Sequence, residues 1–184
     1  MKQLETERLI LRPWQEQDAE AVFSSYGQSQ VVGPAAGWKP HDTIEETRAI
    51  LKSFMEKNET WAVTLRLDGR LIGSFGLHPD PMRGREVKAR QLGYVLAEDM
   101  WGHGYATEAA KRVIAFAFDE LRLEALSVIH YPFNIRSRRV IEKCGFQYEG
   151  TLRRTHRRYD DVLLDSCCYS MMREEYYAAR GNAL

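Results

Sequence analysis

The chain has 184 residues, a length typical of one compact domain, and nothing in its composition indicates a second core. Hydrophobic residues make up 44% of it and charged residues 28%, which argues against a disordered chain, and its apolar runs are too short to span a bilayer. Because Lys plus Arg and Asp plus Glu number 26 each, no net charge draws the chain toward DNA or an anionic membrane.

The first ten residues and the cysteines indicate the cellular compartment in which we expect the protein. Charged residues stand where an export signal requires a continuous apolar stretch, so we expect a cytoplasmic protein with one domain over residues 1–184. Cys144, Cys167 and Cys168 lack the spacing of a metal site, which predicts reduced thiols and no metal. Cys144 is interpreted as a small core residue.

The first part of the chain predicts one strand and two helices. Residues 8–14 form the strand, and Asp18 is the expected N-cap of a helix that carries Val22, Phe23 and Tyr26. Thr43 and Glu46 have the spacing of a capping box before a second helix. That helix should bury one face, made of Ile44, Leu51, Phe54 and Met55.

An antiparallel meander follows in the prediction. Apolar and polar residues alternate over residues 61–67 and 71–77, and Asp68-Gly69 between them is typical of a tight hairpin. A third strand is expected over residues 88–98.

The second part of the chain alternates helices and strands. Apolar residues recur at helical spacing over residues 105–121, and a strand is predicted at 125–131. A helix at 134–144 should end at Gly145, and two strands near 146–153 and 162–172 complete the domain. This order predicts a mixed α/β sheet in which a strand–helix–strand unit follows the meander.

The turn at residues 101–107 carries a candidate binding site. Gly102, Gly104 and Ala106 let backbone N–H groups approach a ligand, and the start of a helix adds partial positive charge, which suits a pyrophosphate. A dinucleotide fingerprint would require glycine where Thr107 stands, and the chain contains no Gly-Lys-Ser/Thr. The alternative is that the glycines only shape the start of a helix.

A second segment, residues 134–146, again enters a helix directly from a strand. Together the two segments resemble the acetyl-coenzyme A (acetyl-CoA) binding core of the GNAT N-acetyltransferases, and specifically the branch that acetylates ribosomal-protein N-termini. The resemblance includes the opening residues 6–13, the strand residues 92–96, Gly150, Asp165 with Tyr169, and residues 173–176.

The resemblance implies a GNAT fold and a cofactor site. The fold has a mixed central sheet of about seven strands, in which two parallel strands, here 88–98 and 125–131, splay apart to admit the pantetheine arm. Trp101 stands where the family usually has Arg or Gln. The expected cofactor-binding residues are Val95, Leu96, Gly102, Gly104, Tyr105, Ala106, Thr107 and Asn134.

The chemistry implied is direct attack of a neutral amine on the thioester, without a covalent enzyme intermediate. A backbone N–H near Val95 or Leu96 is the expected oxyanion donor. Ile141 replaces the tyrosine that many relatives use as the acid, so Ser137 is the expected proton donor, its alternative role being a helix cap. Gln91 replaces a frequent glutamate base, and His156 is the expected base, with an exposed loop histidine as the alternative.

The acceptor is expected to contact Trp38 and Tyr94, in a groove that residues 31–40 help to form. Arginines around His156, over residues 153–158, would attract an acidic peptide or RNA more than a polyamine. We therefore expect a protein or peptide N-terminal amine as acceptor. The alternatives are a small-molecule amine acetyltransferase and a non-catalytic acetyl-CoA sensor, and the sequence leaves both a monomer and a homodimer open.

Overall fold

The computed structural model describes residues 1–181 and folds them around one eight-stranded sheet. The strands are β1 (Leu4–Glu5), β2 (Leu9–Arg12), β3 (Thr60–Leu65), β4 (Leu71–Pro79), β5 (Ala89–Leu96), β6 (Ala125–His130), β7 (Gln147–Arg157) and β8 (Leu163–Met172). The helices are α1 (Asp18–Val22), α2 (Val32–Ala36), α3 (Ile44–Lys57), α4 (Tyr105–Ala115), α5 (Ile135–Lys143) and α6 (Arg173–Ala179). The order across the sheet is β1-β2-β3-β4-β5-β6-β8-β7.

The predicted meander is confirmed, and the sheet as a whole has one strand more than expected. Strands β2 to β5 pair antiparallel in chain order, and the turn at Gly69, with φ of 74°, joins β3 to β4. The additional strand, β1, pairs two residues with β2. It is too short to show an alternation in the sequence, so the count of about seven strands rises to eight.

The predicted N-cap of α1 is wrong by one residue. Asp18 is the first helical residue, and Gln17 precedes it without a side-chain cap. The Asp18 carboxylate instead forms a two-pronged ion pair with Arg12, at 2.7 and 2.8 Å, and accepts the N–H of Gln15. The cap of α3 is as predicted, because Thr43 Oγ1 accepts the N–H of Glu46 at 3.3 Å.

Helices cover both faces of the sheet. The first three pack with Trp14, Ala62 and Leu71 on one face, whereas α4 and α5 pack on the other face against Leu92, Leu126 and their neighbours. The α4 helix continues into a π-helical turn, Phe116–Glu120, which brings Phe116 and Phe118 into the core. No helix within residues 1–181 has the length and apolar composition needed to cross a membrane.

The pair β5 and β6 is the only parallel neighbour pair of the described sheet, and it is short. Ladder pairs run from Ala89–Ala125 to Leu92–Val128 and then stop. Beyond that point β5 continues to Leu96 and β6 to His130, each still paired on its far side. The strands therefore part after Leu92 and Val128, and we call the space between them the gap.

The C-terminal third differs from expectation in its strand lengths. As predicted, α5 ends before Gly145, whose φ is 89°. Strand β7 runs to Arg157, four residues beyond the predicted end near 153, with irregular pairing around Gly150 and between Leu152 and His156. His156 therefore lies on a strand opposite Leu164, and the expectation that it lies in a loop is wrong.

Candidate active site

The gap exposes backbone groups of β5. Ala97 donates its N–H to Ile72 of β4 at 2.9 Å, and the carbonyl of Val95 faces Gly73 of β4, where an added Cβ would lie 2.2 Å from it. Because successive residues of a strand direct their polar groups to opposite sides, Tyr94 and Leu96 direct theirs into the gap. These main-chain groups face the place where an extended ligand would lie, although the Leu96 carbonyl already accepts a hydrogen bond from Trp101.

The turn before α4 presents a row of free amides. Gly102 and Gly104 both have φ of 83°, a left-handed conformation that glycine adopts without strain. The backbone N–H groups of residues 102–107 donate to no acceptor within residues 1–181, while the N–H of Glu108 bonds to Gly104 at 3.0 Å. The turn and the first helical residues therefore carry unsatisfied donors and the positive end of the helix dipole.

Arg8, from the β1–β2 turn, holds this loop in place. Its guanidinium donates to the carbonyl of His103 at 3.1 Å and lies 4.5 Å from the ring centre of Tyr105. The same side chain pairs with the Glu108 carboxylate at 2.6 Å. The charge of Arg8 is thus neutralised, and its contacts fix the loop with its amides directed outward.

Trp101 and Arg136 lie at the mouth of the gap. The indole Nε1 of Trp101 donates to the carbonyl of Leu96 at 2.9 Å, which occupies one of the β5 groups on the gap side. The guanidinium of Arg136, in the first turn of α5, lies 4.6 Å from the centre of the Trp101 ring. This stacking connects α5 to the amide-rich turn. Sequence reasoning missed it, because the two residues are far apart in the chain.

Tyr94 and Ser137 meet on the face of the sheet that α5 covers. The phenol oxygen of Tyr94 is 2.8 Å from Ser137 Oγ and 3.2 Å from the Ser137 carbonyl. Burial raises the pKa of Tyr94, so the phenol stays protonated and is a hydrogen-bond donor. When the phenol donates to Ser137 Oγ, the serine proton is free for a ligand in the gap.

Asn134 and His156 hold the end of α2. Asn134 caps α5 by accepting the N–H of Ser137 at 3.1 Å, and its Nδ2 donates to Ala35 at 3.1 Å. His156 Nε2 lies 3.1 Å from the carbonyl of Gly37. Since a carbonyl only accepts, Nε2 carries a proton and Nδ1 has the lone pair in the neutral ring.

The two expected acceptor contacts lie on different faces of the sheet. Trp38 packs with the cluster under α1 to α3, next to His41, whereas Tyr94 stacks on Phe75 within the cluster under α4 and α5. Tyr131, which sequence reasoning did not single out, stacks on His156 with ring centres 5.8 Å apart.

Comparison with known proteins agrees with this geometry. A family model described as the acetyltransferase (GNAT) domain matches residues 8–147. The chain is 31% identical over 155 residues to the uncharacterized N-acetyltransferase YoaA of Bacillus subtilis strain 168, covering 82% of this chain and 85% of that protein.

Solved structures extend the comparison to nearly the whole chain. A GNAT-family acetyltransferase from Bacillus anthracis superimposes with a TM-score of 0.84 at 26% identity, covering 95% of this chain and 100% of that one. The ribosomal-protein-S5-alanine acetyltransferase of Vibrio fischeri, at 18% identity and a TM-score of 0.74, covers 96% and 99% and shows the shared fold alone.

The expected GNAT fold is confirmed, with its open mixed sheet and its parallel β5–β6 pair. GNAT enzymes are acyltransferases that use acetyl-CoA and act on amine acceptors. The match, the relatives and the fold agree over most of the sequence. The chain belongs to the GNAT family of N-acetyltransferases.

Proposed function

We propose that this protein transfers the acetyl group of acetyl-CoA to the N-terminal α-amine of a protein or peptide, through a ternary complex. One observation carries the proposal: the unsatisfied amides of residues 102–107 lie at the end of β5 where the gap opens. A diphosphate satisfies such amides, and a pantetheine arm pairs with backbone groups like a strand. The gap then admits the thioester between the two strands.

The cofactor contacts follow from which groups face the gap. Gly102, Gly104, Tyr105, Ala106 and Thr107 hold the diphosphate through their amides. Leu96 contacts the pantetheine arm, and its carbonyl must first release Trp101. The backbone N–H and C=O of Val95 face β4, so Val95 contacts the pantetheine arm through its side chain. The free hydrogen of Asn134 Nδ2 reaches a pantetheine amide.

The reaction needs three groups around the thioester carbonyl. The neutral amine attacks the carbonyl carbon, and a gap-facing N–H of β5 stabilises the oxyanion. The C–S bond then breaks, and the departing thiolate takes its proton from Ser137, which Tyr94 orients. Water returns a proton to the serine, and His156 afterwards releases the amine proton to solvent. The amine proton passes to Nδ1 of His156, directly or through water, while Gly37 holds the other ring nitrogen.

The charge of the β7–β8 hairpin supports a peptide acceptor. Arg157 and Arg158 pair with Asp161 and Asp160, but no carboxylate of residues 1–181 pairs with Arg153 or Arg154. These uncompensated arginines repel a polyamine and attract a peptide with acidic residues behind its amine.

A thiol-release assay with matched acceptors tests the proposal. Acetyl-CoA is supplied with peptides that differ in the acidity of residues two to four, with spermidine, with glucosamine and with an aminoglycoside. We expect turnover with peptides, highest for the acidic ones, and acetylation of the α-amine by mass spectrometry. Turnover with small amines alone would favour the small-molecule alternative, and acetyl-CoA binding without any turnover would favour the sensor.

A further inference from the structure

Arg136 is an uncompensated cation that lies over Trp101, the residue directly before the amide-rich turn. It is exposed at the start of α5, and no carboxylate of the described chain pairs with its guanidinium, which lies over Trp101. Arg8, the other arginine in contact with this segment, is bound to Glu108. The two arginines therefore differ in function, since only Arg136 has a charge available to a ligand.

The position of Arg136 is fixed before any ligand binds. Its side chain crosses from α5 to the indole of Trp101, and that indole is itself held by the Leu96 carbonyl. A guanidinium over an aromatic face keeps its N–H edge free, because the ring contacts only its flat surface. The edge is therefore available for the two-pronged contacts that guanidinium groups make with phosphate oxygens.

We infer that Arg136 binds the diphosphate of the cofactor from the α5 side, opposite the amides of residues 102–107. The inference rests on the proposed function. It assigns the selection of coenzyme A over shorter thioesters to a side chain as well as to the backbone. Trp101 serves as the platform that positions this arginine.

The test compares three thioesters by calorimetry at low salt: acetyl-CoA, its 3′-dephospho form and acetyl-pantetheine, which lacks the diphosphate. We expect Arg136→Ala to weaken acetyl-CoA and the 3′-dephospho compound equally, on the order of 10-fold to 100-fold, as loss of a charged hydrogen bond does. Binding of acetyl-pantetheine should not change. Arg136→Lys should retain part of the affinity, and the loss should shrink as salt rises.

Arg139→Ala is the matched control, because Arg139 is also exposed on α5 and its replacement removes the same charge. It should leave all three affinities within about twofold of wild type, the size of a long-range charge effect. Unchanged acetyl-CoA affinity in Arg136→Ala would overturn the inference while leaving the proposed function intact. A loss confined to the compound with the 3′-phosphate would also overturn it. If the wild-type protein bound no acetyl-CoA, both proposals would fail.

Discussion

At the scale of single residues, the proposed mechanism divides protonation of the leaving thiolate between two hydrogen-bonded side chains, Tyr94 and Ser137. A serine hydroxyl is a weak acid, and a phenol whose pKa burial has raised is a poor source of protons as well. The phenol can still donate to Ser137 Oγ and thereby direct the serine proton toward the sulfur. Tyr94 is therefore a positioning residue in the proposed mechanism, and Ser137 is the group that meets the thiolate.

Ser137→Ala should lower kcat on the order of 100-fold, and Tyr94→Phe on the order of 10-fold, with little change in the affinity for acetyl-CoA. Because the tyrosine acts through the serine, the double variant should be no slower than Ser137→Ala alone. Steady-state kinetics and calorimetry on the three variants measure this. Tyr148→Phe, at an exposed tyrosine of β7, is the control, and additive losses would show that Tyr94 acts independently.

The buried thiol of Cys144 should make the free energy of unfolding depend on pH in the alkaline range. Burial raises the pKa of this thiol from 9.0 to about 11. The folded state therefore keeps the proton that the unfolded chain loses, so stability is full below pH 9 and falls as pH rises toward 11. Cys144→Ala should remove this dependence, on the order of 1–2 kcal/mol, in denaturant titrations at both pH values. Parallel pH profiles for the two proteins would contradict it.

The sequence could predict only those parts of the site that depend on residues close together in the chain. The amide-rich turn depends on neighbouring residues, and glycine spacing at the strand–helix junction predicted it. The Asn134 cap is equally local but was not predicted. The partners of Trp101, Arg136 and His156 depend on contacts between segments far apart in the chain. Sequence periodicity does not reveal such contacts, so the hydrogen bond from His156 to the Gly37 carbonyl was not predicted.

At the scale of elements, the close contact between β4 and β5 holds the end of β5, which borders the gap. Gly73 lies so near β5 that a Cβ there would be 2.2 Å from the Val95 carbonyl and 3.0 Å from Leu96 Cα. Both atoms belong to the backbone that lines the gap. A side chain at this position would displace the end of β5, the segment that faces the pantetheine arm.

Gly73→Ala should destabilise the fold by about 1–3 kcal/mol, as overpacking does, and should also weaken acetyl-CoA binding. Gly69→Ala is the control, because nothing lies within 4 Å of its added Cβ and only its φ of 74° opposes the change. That variant should lose about 1–2 kcal/mol without affecting the cofactor. Thermal unfolding and calorimetry distinguish the two; equal cofactor affinity in both variants would disprove the link between Gly73 and the gap.

The long elements were predictable, and three short ones were not. The meander, α3 and α5 have clear periodicity and turn or cap signals, and their positions match expectation within a few residues. The short elements β1, α2 and α6 cover seven residues or fewer, too few for a pattern to emerge. They form because neighbouring strands and the core provide partners, which is information that a local window does not contain.

At the scale of the whole molecule, the two edges of the sheet differ. One edge is β1, with two residues, and the other is β7, whose eleven residues are exposed or half-buried. A long open edge can pair with another chain, and charged residues are a common protection against this. Arg153, Arg154 and Arg157 supply that charge on β7, in a protein whose positive and negative residues are equal in number overall.

Replacing Arg153 and Arg157 together by Gln should therefore promote aggregation during heating or concentration, measured by light scattering, with little loss of stability. Lys52→Gln with Lys143→Gln removes two positive charges from exposed helix positions and controls for net charge. Equal aggregation of the two double variants would show that net charge matters and the edge does not.

The short joint between β5 and β6 has a mechanical consequence. Only four residue pairs, from Ala89–Ala125 to Leu92–Val128, hold the five-stranded part of the sheet to the three-stranded part. In native-state hydrogen exchange, amides along this joint should open before those within either part. A thioester bound across the gap, as proposed, would lengthen the joint, so the substrate itself would complete the sheet and the enzyme would be most rigid when it is ready to react.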